Sequence, residues 1–306
     1  MSYQIELRHL RYFMAVAEEL HFKRASEKLY ISQPALSKQI KQLEESLGLE
    51  LFERHNRKVE LTKTGAFLKS ELKQYLKSLD VIISNTKLVG NGYDGNLSFG
   101  YVGSAMHEVI PQLLLDIRKT LPQIIFDLKE MDNQEQIDSI LNYDIDLGFV
   151  RLDRLPRGIS SLPVHQDTFS LVLPKKHKIN QKNFNNLLQL KDESFILFDA
   201  SYSHSYYDKV MQIFEDCGFS PIISHKTVHA HTIYSLVENN FGISIVPTSL
   251  QEGYKKAIKF IELKKNKSRT TLQLIWKKDN PNPVLKNVVE MILEKKVASR
   301  MKVGKK

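Results

Sequence analysis

The apolar residues of the first sixty positions recur at helical spacing. Leu7, Leu10, Met14 and Ala17 step by three and four, and Phe13 and Leu20 widen the stripe, which predicts an amphipathic helix. A second short helix is predicted over Lys23–Leu29. Ser32 then offers an N-cap, and Pro34 sits in a first turn, where a missing N–H costs nothing. Leu36, Ile40, Leu43 and Leu47 share one face of that third helix until Gly48 ends it, and Gln33, Ser37, Lys38 and Lys41 lie opposite. Leu51–Arg54 and Lys58–Leu61 flank the polar turn His55-Asn56 as a small two-stranded ribbon, with Arg54, Arg57 and Lys58 at its tip.

Thr62–Leu88 reads as one long helix. Leu68, Leu72, Tyr75, Leu79 and Ile82 alternate steps of four and three, the repeat of a coiled-coil dimer seam; the alternative is a helix lying on its own domain. Gly90–Gly95 is a linker. After it the texture changes. Strands are predicted at Asn96–Val102, Ile124–Glu130 and Asp146–Val150, with helices at Met106–Thr120 and Gln134–Asn142 between them. That rhythm implies a parallel sheet with right-handed crossovers. A second set follows: strands at Phe169–Leu173, Phe195–Phe198 and Ile243–Val246, and helices at Ser205–Cys217 and Thr232–Asn239. Strands near Lys259–Leu263 and Thr271–Trp276 lead to a last helix, Pro283–Lys296. Two α/β lobes with the chain crossing between them would form a clamshell.

Charge changes this picture only in part. The 306 residues carry a net charge of +9, which hints at a polyanionic partner. Residues 1–90 hold 15 basic and 11 acidic side chains, residues 91–254 hold 13 and 20, and residues 255–306 hold 16 and 4. The excess therefore sits at the C-terminus, in Lys264-Lys265-Asn266-Lys267 and Lys302–Lys306, where a solvated tail is the plain reading. No apolar run approaches the roughly 18 residues of a membrane helix. Met1–Glu6 lacks a basic-then-apolar signal pattern and Cys217 is alone, so a reducing cytoplasm is expected.

Two short helices joined by a tight turn have helix-turn-helix spacing, in which the second helix enters the major groove. Gln33 suits adenine, Lys38 suits guanine, Ser37 suits either, and Pro34 and Ala35 suit a thymine methyl. The basic ribbon would be a wing on phosphate or in the minor groove. A helical hairpin with a solvated polar face is the competing reading.

The residues also carry a family likeness. Leu7-Arg8-His9-Leu10-Arg11-Tyr12-Phe13, Ala25–Leu29, Ile31–Ile40 with Leu43-Glu44, Leu51-Phe52-Glu53-Arg54 and Leu61–Gly65 resemble the N-terminus of LysR-type transcriptional regulators. The resemblance implies an α/β protein with an N-terminal all-α winged helix-turn-helix over 1–62 and a long dimerising linker helix over 63–90. Over 91–306 it implies a two-lobed, Rossmann-like effector domain of type 2 periplasmic-binding-protein kind. Lobe I would span about 95–165 and 266–300, and lobe II about 166–265. It further implies a homodimer to homotetramer on double-stranded operator DNA, with Ser32, Gln33, Pro34, Ala35, Ser37, Lys38, Lys41, Arg54 and Arg57 on the DNA side. RNA polymerase is a candidate partner, and no cofactor, metal or membrane is called for.

Gly100–Ser104, Glu130–Gln136, Leu147–Arg151, Val210–Phe214 and Gly242–Pro247 look most like the subgroup that senses muconate or benzoate-type acids. The effector, an organic acid, would then sit between the lobes against Gly103, Ser104, Ala105, Asn133, Arg151, His204 and Tyr206. Ser104 would start a helix, where free N–H groups and the dipole attract a carboxylate, or act only as its cap. Asn133 could equally cap its own helix, and Arg151 could pair with a ligand or with a structural acid. Asn133 stands where the subgroup usually has Ser or Thr, and His204 where it has proline, which points to a more polar pocket.

Rival functions have weaker signals. The sequence has no G-x-S-x-G elbow, P-loop or dinucleotide fingerprint. His229-Ala230-His231 lacks supporting ligands for a metal, and Cys217 reads as packed and inert. An enzyme or small-molecule-binding α/β protein that uses its N-terminal helices only to oligomerise is the alternative to a regulator.

Overall fold

The computed structural model describes residues 5–55, 58–91, 94–107, 109–251 and 257–303. The chain forms two compact units, Met1–Ser84 and Asn85–Lys306.

In the first unit the predicted apolar stripes become one core. Helices α1 (Leu7–Glu19), α2 (Phe22–Lys28) and α3 (Gln33–Leu47) bury Phe13, Val16, Ala25, Leu36, Ile40 and Leu43 completely. Strands β1 (Phe52–His55) and β2 (Lys58–Leu61) pair as an antiparallel ribbon, and Phe52 brings its ring within 5.4 Å of Phe13 and 5.9 Å of Phe22. Glu44 secures the ribbon: one carboxylate oxygen accepts the backbone N–H groups of Leu51 and Phe52. Ser32 caps α3 by accepting from the Ala35 N–H at 3.4 Å, and Gly48 ends it in the left-handed region at φ +69°.

Helix α4 (Lys63–Gly90) is the long helix. Leu68 and Leu72, with Leu76, are half-buried and pack against the core of α1–α3. Lys69 Nζ donates to the Ala17 carbonyl at 2.6 Å, and Arg11 pairs with Asp80 at 2.8 Å, so α4 is tied to α1. Tyr75 and Ile82 are exposed, as are Phe67 and Ile83, which the repeat does not include, while Leu79 is half-buried.

The second unit contains two sheets. The first has the order β4-β3-β5-β12-β6, built from β3 (Asn96–Tyr101), β4 (Ile125–Glu130), β5 (Leu147–Val150), β6 (Ile159–Asp167) and β12 (Thr270–Lys277). β3, β4 and β5 are parallel, as their alternation with α5 (Val109–Thr120) and α6 (Asn133–Leu141) predicts. The sheet as a whole is mixed, because β12 runs antiparallel to both β5 and β6. β6 escaped the sequence reading for a physical reason. It is an edge strand containing Pro163, and the pairing slips between Leu272 and Gln273 opposite that proline.

In the second sheet β7 (Phe169–Pro174) lies antiparallel between β10 (Ser244–Pro247) and β11 (Ile258–Glu262). β8 (Ser194–Phe198) pairs in parallel with β9 (Ile222–Thr227), and Phe195 bridges to Ile243 to join the two pieces. β9, also unpredicted, is a mostly exposed outer strand without apolar alternation. Helices α7 (His204–Asp216) and α8 (Ala230–Glu238) cover this sheet, and α9 (Pro283–Val303) returns to the first through Val284, Leu285 and Val288. The chain leaves the first sheet between Asp167 and Phe169 and comes back between Glu262 and Thr270.

Gly65 is required at the start of α4, since a Cβ there would run into the Leu51 carbonyl and the Leu61 side chain. Gly65→Ala should therefore destabilise the first unit, although alanine is favoured by about 1 kcal/mol in a helix interior. Urea unfolding followed by far-UV circular dichroism would show the loss; a gain in stability would refute the close contact.

Candidate functional site: a cavity between two lobes and an exposed helix

The cavity lies where the two sheets of the second unit meet. Lobe I, the β3-containing sheet with its helices, contributes Val102, Gly103, Ser104, Glu130 and Arg151. Lobe II contributes Phe198, Tyr202, Ser203, Tyr206, Val228 and Pro247, among others. The space that water-sized groups can occupy is about 50 Å³, and most of the wall is apolar.

Arg151, just beyond β5, is a buried charge in its wall, with 5% of its surface exposed. Every part of its guanidinium is matched. Nε donates to Ser104 Oγ at 2.9 Å, Nη1 reaches the Thr270 carbonyl and hydroxyl at 3.4 Å, and Nη2 donates to Asp167 at 3.1 Å. Asp167, equally buried, also accepts from the Ser249 hydroxyl. The even choice left open for Arg151 is thus resolved towards a structural acid.

Ser104 and Asn133 are placed differently from the expectation. The helix foreseen over Met106–Thr120 is present as α5 (Val109–Thr120), while Ser104 lies in a separate four-residue 3-10 turn, Gly103–Met106. A helix dipole at Ser104 is therefore not available, and Val102, not Ser104, holds the cap position. Ser104 still faces the cavity with its hydroxyl polarised by Arg151. Asn133 is fully used behind the wall: Oδ1 accepts the Arg151 N–H at 3.0 Å and Nδ2 donates to the Arg151 carbonyl at 3.4 Å. Asp132 caps its helix instead. Ala105 is buried in the lobe I core and does not line the cavity. Nor does His204, which stands exposed at the start of α7. Tyr206 lines the cavity yet is mainly a core aromatic. Its hydroxyl donates to the Ile245 carbonyl at 3.0 Å, its ring packs on Phe169 and Phe198, and burial pushes its phenol well above the ordinary range.

Sequence reasoning missed Tyr202, Glu130 and Asp167. Tyr202 accepts the Gly103 N–H at 3.2 Å across the cleft, and burial, outweighing that bond, pushes its phenol up to about 12. Near it stands Glu130, whose charge also raises the phenol and whose carboxylate is 3.4 Å from His229 Nδ1 on lobe II. Two further ties cross the cleft. Ser203 Oγ donates to the Arg151 carbonyl, and Asp153 binds Lys209 at 2.6 Å and Ser205 at 2.8 Å. Burial works to raise the Asp153 carboxyl, but the hydrogen bonds from Lys209 and Ser205 and the lysine charge hold it below the usual range. Among the described residues no group of three or more His, Cys, Asp or Glu could hold a metal ion.

On the first unit, Ser32, Gln33, Pro34, Ala35, Lys38 and Lys41 are exposed along α3, and Ser37 is half-buried. Lys41 contacts Glu45 at 3.7 Å one turn on. Tyr30, in the left-handed region in the turn before α3, is 95% exposed and was not singled out by the pattern. Arg54 lies on β1, and Arg57 lies outside the described residues.

A helix-turn-helix with a β-ribbon, joined by a long helix to two α/β lobes around a cavity, defines a DNA-binding regulator with a ligand-binding domain. The family profile for the bacterial regulatory helix-turn-helix protein, lysR family, matches residues 7–66, and that for the LysR substrate binding domain matches residues 90–296. The chain belongs to the LysR family of DNA-binding transcriptional regulators. It is 32% identical to the regulator CatR of Pseudomonas putida over 290 residues, covering 95% of this chain and 99% of CatR. It is 34% identical to BenM of Acinetobacter baylyi, covering 81% and 82%. Full-length CbnR in complex with its target DNA shares the fold with a TM-score of 0.65 at 26% identity, covering 95% of this chain and 99% of that one. No helix among the described residues is long and apolar enough to cross a membrane.

Two outcomes test this geometry. Asp167→Ala, which leaves the Arg151 charge buried and unpaired, should cost about 3–5 kcal/mol, read as a lowered midpoint in urea; a cost near zero would show that Arg151 has other compensation. Asp153→Asn should lower the melting temperature at pH 7. That gap should close as the pH falls below about 4, because a depressed carboxyl stabilises only while it is ionised; a gap independent of pH would detach the effect from the Asp153 charge.

Proposed function

We propose that the chain is a cytoplasmic, effector-controlled regulator that binds operator DNA through α3 and the ribbon and senses a small organic acid between its lobes. The observation that carries this reading is the inter-lobe cavity with Ser104, polarised by buried Arg151, at one end, in a chain whose first unit exposes the polar face of α3.

On the DNA side, Gln33, Ser37 and Lys38 read base edges, and Ser32 fixes the helix start. Pro34 and Ala35 meet thymine methyls, and Lys41, Arg54 and Arg57 hold phosphates. On the effector side, Gly103, Ser104 and Tyr206 face the ligand, and Arg151 acts through Ser104. Asn133, Ala105 and His204 serve the wall and its surroundings. Exposed Tyr75 and Ile82, with Phe67 and Ile83, supply the surface on which a second copy packs, and pairs of dimers form a tetramer. RNA polymerase reads the resulting DNA geometry. Effector binding shifts a lobe-closure equilibrium by its difference in affinity for the two states. No catalytic step enters this reading.

Gel shifts on the DNA beside its own gene, with a thermal-shift screen of small acids, test both halves. A binder raises stability by RT ln(1 + [L]/Kd), so a hit names the class of effector. Gln33→Ala should weaken operator binding by about 1–3 kcal/mol while sparing scrambled DNA. Equal loss on both would remove Gln33 from the base-reading set.

A further inference from the structure

The charges that line the cavity are one arginine and one glutamate, and they are not equivalent. Arg151 is neutralised from behind by Asp167, with both side chains about 95% buried. Glu130 has no lysine or arginine partner among the described residues: its carboxylate stands 3.4 Å from the His229 imidazole. The Tyr202 phenol stays protonated and fills the Gly103 N–H, so that donor is already occupied. The cavity thus presents a neutral, polarised hydroxyl at Ser104 and an acceptor carboxylate at Glu130, and Val102, Phe198, Val228 and Pro247 add apolar wall. The volume of about 50 Å³ has room for roughly four water-sized groups, which fits a short chain.

We propose that the cavity selects a short monocarboxylic acid carrying a hydroxyl or amino group at its far end, and that Glu130 is the residue that sets this choice by accepting from that group and repelling a second carboxylate. The inference rests on the reading of the cavity as an acid site. The ligand carboxylate takes the Ser104 proton, since that hydroxyl has given its lone pair to Arg151 Nε and keeps its own hydrogen to donate. The distal donor meets Glu130. A dicarboxylate would place like charges together in a partly dehydrated space, which discriminates through repulsion rather than through lost attraction. Tyr202 is a positioning residue here: it ties lobe II to Gly103, beside Ser104.

Isothermal titration of the full-length protein at pH 8, where imidazole side chains are uncharged, tests the idea. The probes are propionate, 3-hydroxypropionate, β-alanine and malonate, with the four-carbon series alongside. The wild type should bind 3-hydroxypropionate or β-alanine about tenfold or more tighter than malonate. Glu130→Gln should bring that ratio to within about threefold, chiefly by strengthening malonate. Equal or tighter binding of malonate by the wild type would overturn the proposal, and so would a ratio that Glu130→Gln leaves unchanged. If every acid binds alike, the acid reading stands and the role of Glu130 falls. If no acid in either series binds at millimolar concentration, the acid reading itself falls and takes the proposal with it. The wild-type series needs no variant, so a misfolded Glu130→Gln would not rescue a failed preference.

Discussion

A guanidinium removed from water must have each of its donors matched, because an uncompensated buried charge costs several kcal/mol. The second unit is arranged around how Arg151 meets that demand. Its partners come from the 3-10 turn after β3, from the last residue of β6 and from the first residue of β12. The last two mark the places where the chain leaves lobe I and returns to it. One side chain thus fixes both crossovers and one wall of the cavity. Asn133 adds a second level of control by holding the Arg151 backbone from α6. The guanidinium is consequently a structural element that lends polarity to Ser104.

The cleft is tied by several weak contacts rather than one strong one. Tyr202 to Gly103, Ser203 to Arg151, Lys209 to Asp153 and His229 to Glu130 each cross between lobes, and most are partly exposed to solvent. Contacts of this kind contribute little individually and are easily exchanged for contacts to a ligand. That suits a domain whose two arrangements must differ by only a few kcal/mol if a small molecule is to shift them. The Arg151–Asp167 pair is buried beside the crossovers, whereas the ties of Lys209 to Asp153 and His229 to Glu130 lie nearer solvent.

In the first unit the same division of labour runs along α4. Its early turns carry Leu68, Leu72 and Leu76 against the core of α1–α3, and Phe67, Tyr75, Ile82 and Ile83 are exposed along it. The four-three repeat was legible, but a period alone does not say which apolar partner a stripe will find. A core already present in the same chain claimed the first two leucines.

Local pattern was enough to determine the helices of the first unit, the Ser32 cap, the Gly48 stop and the parallel β3–β5 core, because these depend on residues three, four or two positions apart. It was also enough to identify the family, whose motif runs through contiguous residues. Two edge strands were illegible, since Pro163 interrupts β6 and β9 lacks alternation, and their pairing is set by neighbours far away in sequence. The cavity was half legible: Gly103, Ser104, Arg151 and Tyr206 were named, but what each does was not. Arg151 and Asp167 are sixteen residues apart, and Arg151 and Thr270 are one hundred and nineteen apart. Whether Arg151 is free to bind a ligand or is already satisfied depends on those distant partners. Only the tertiary structure could decide it, because a buried charge is defined by what surrounds it and not by what precedes it in the chain.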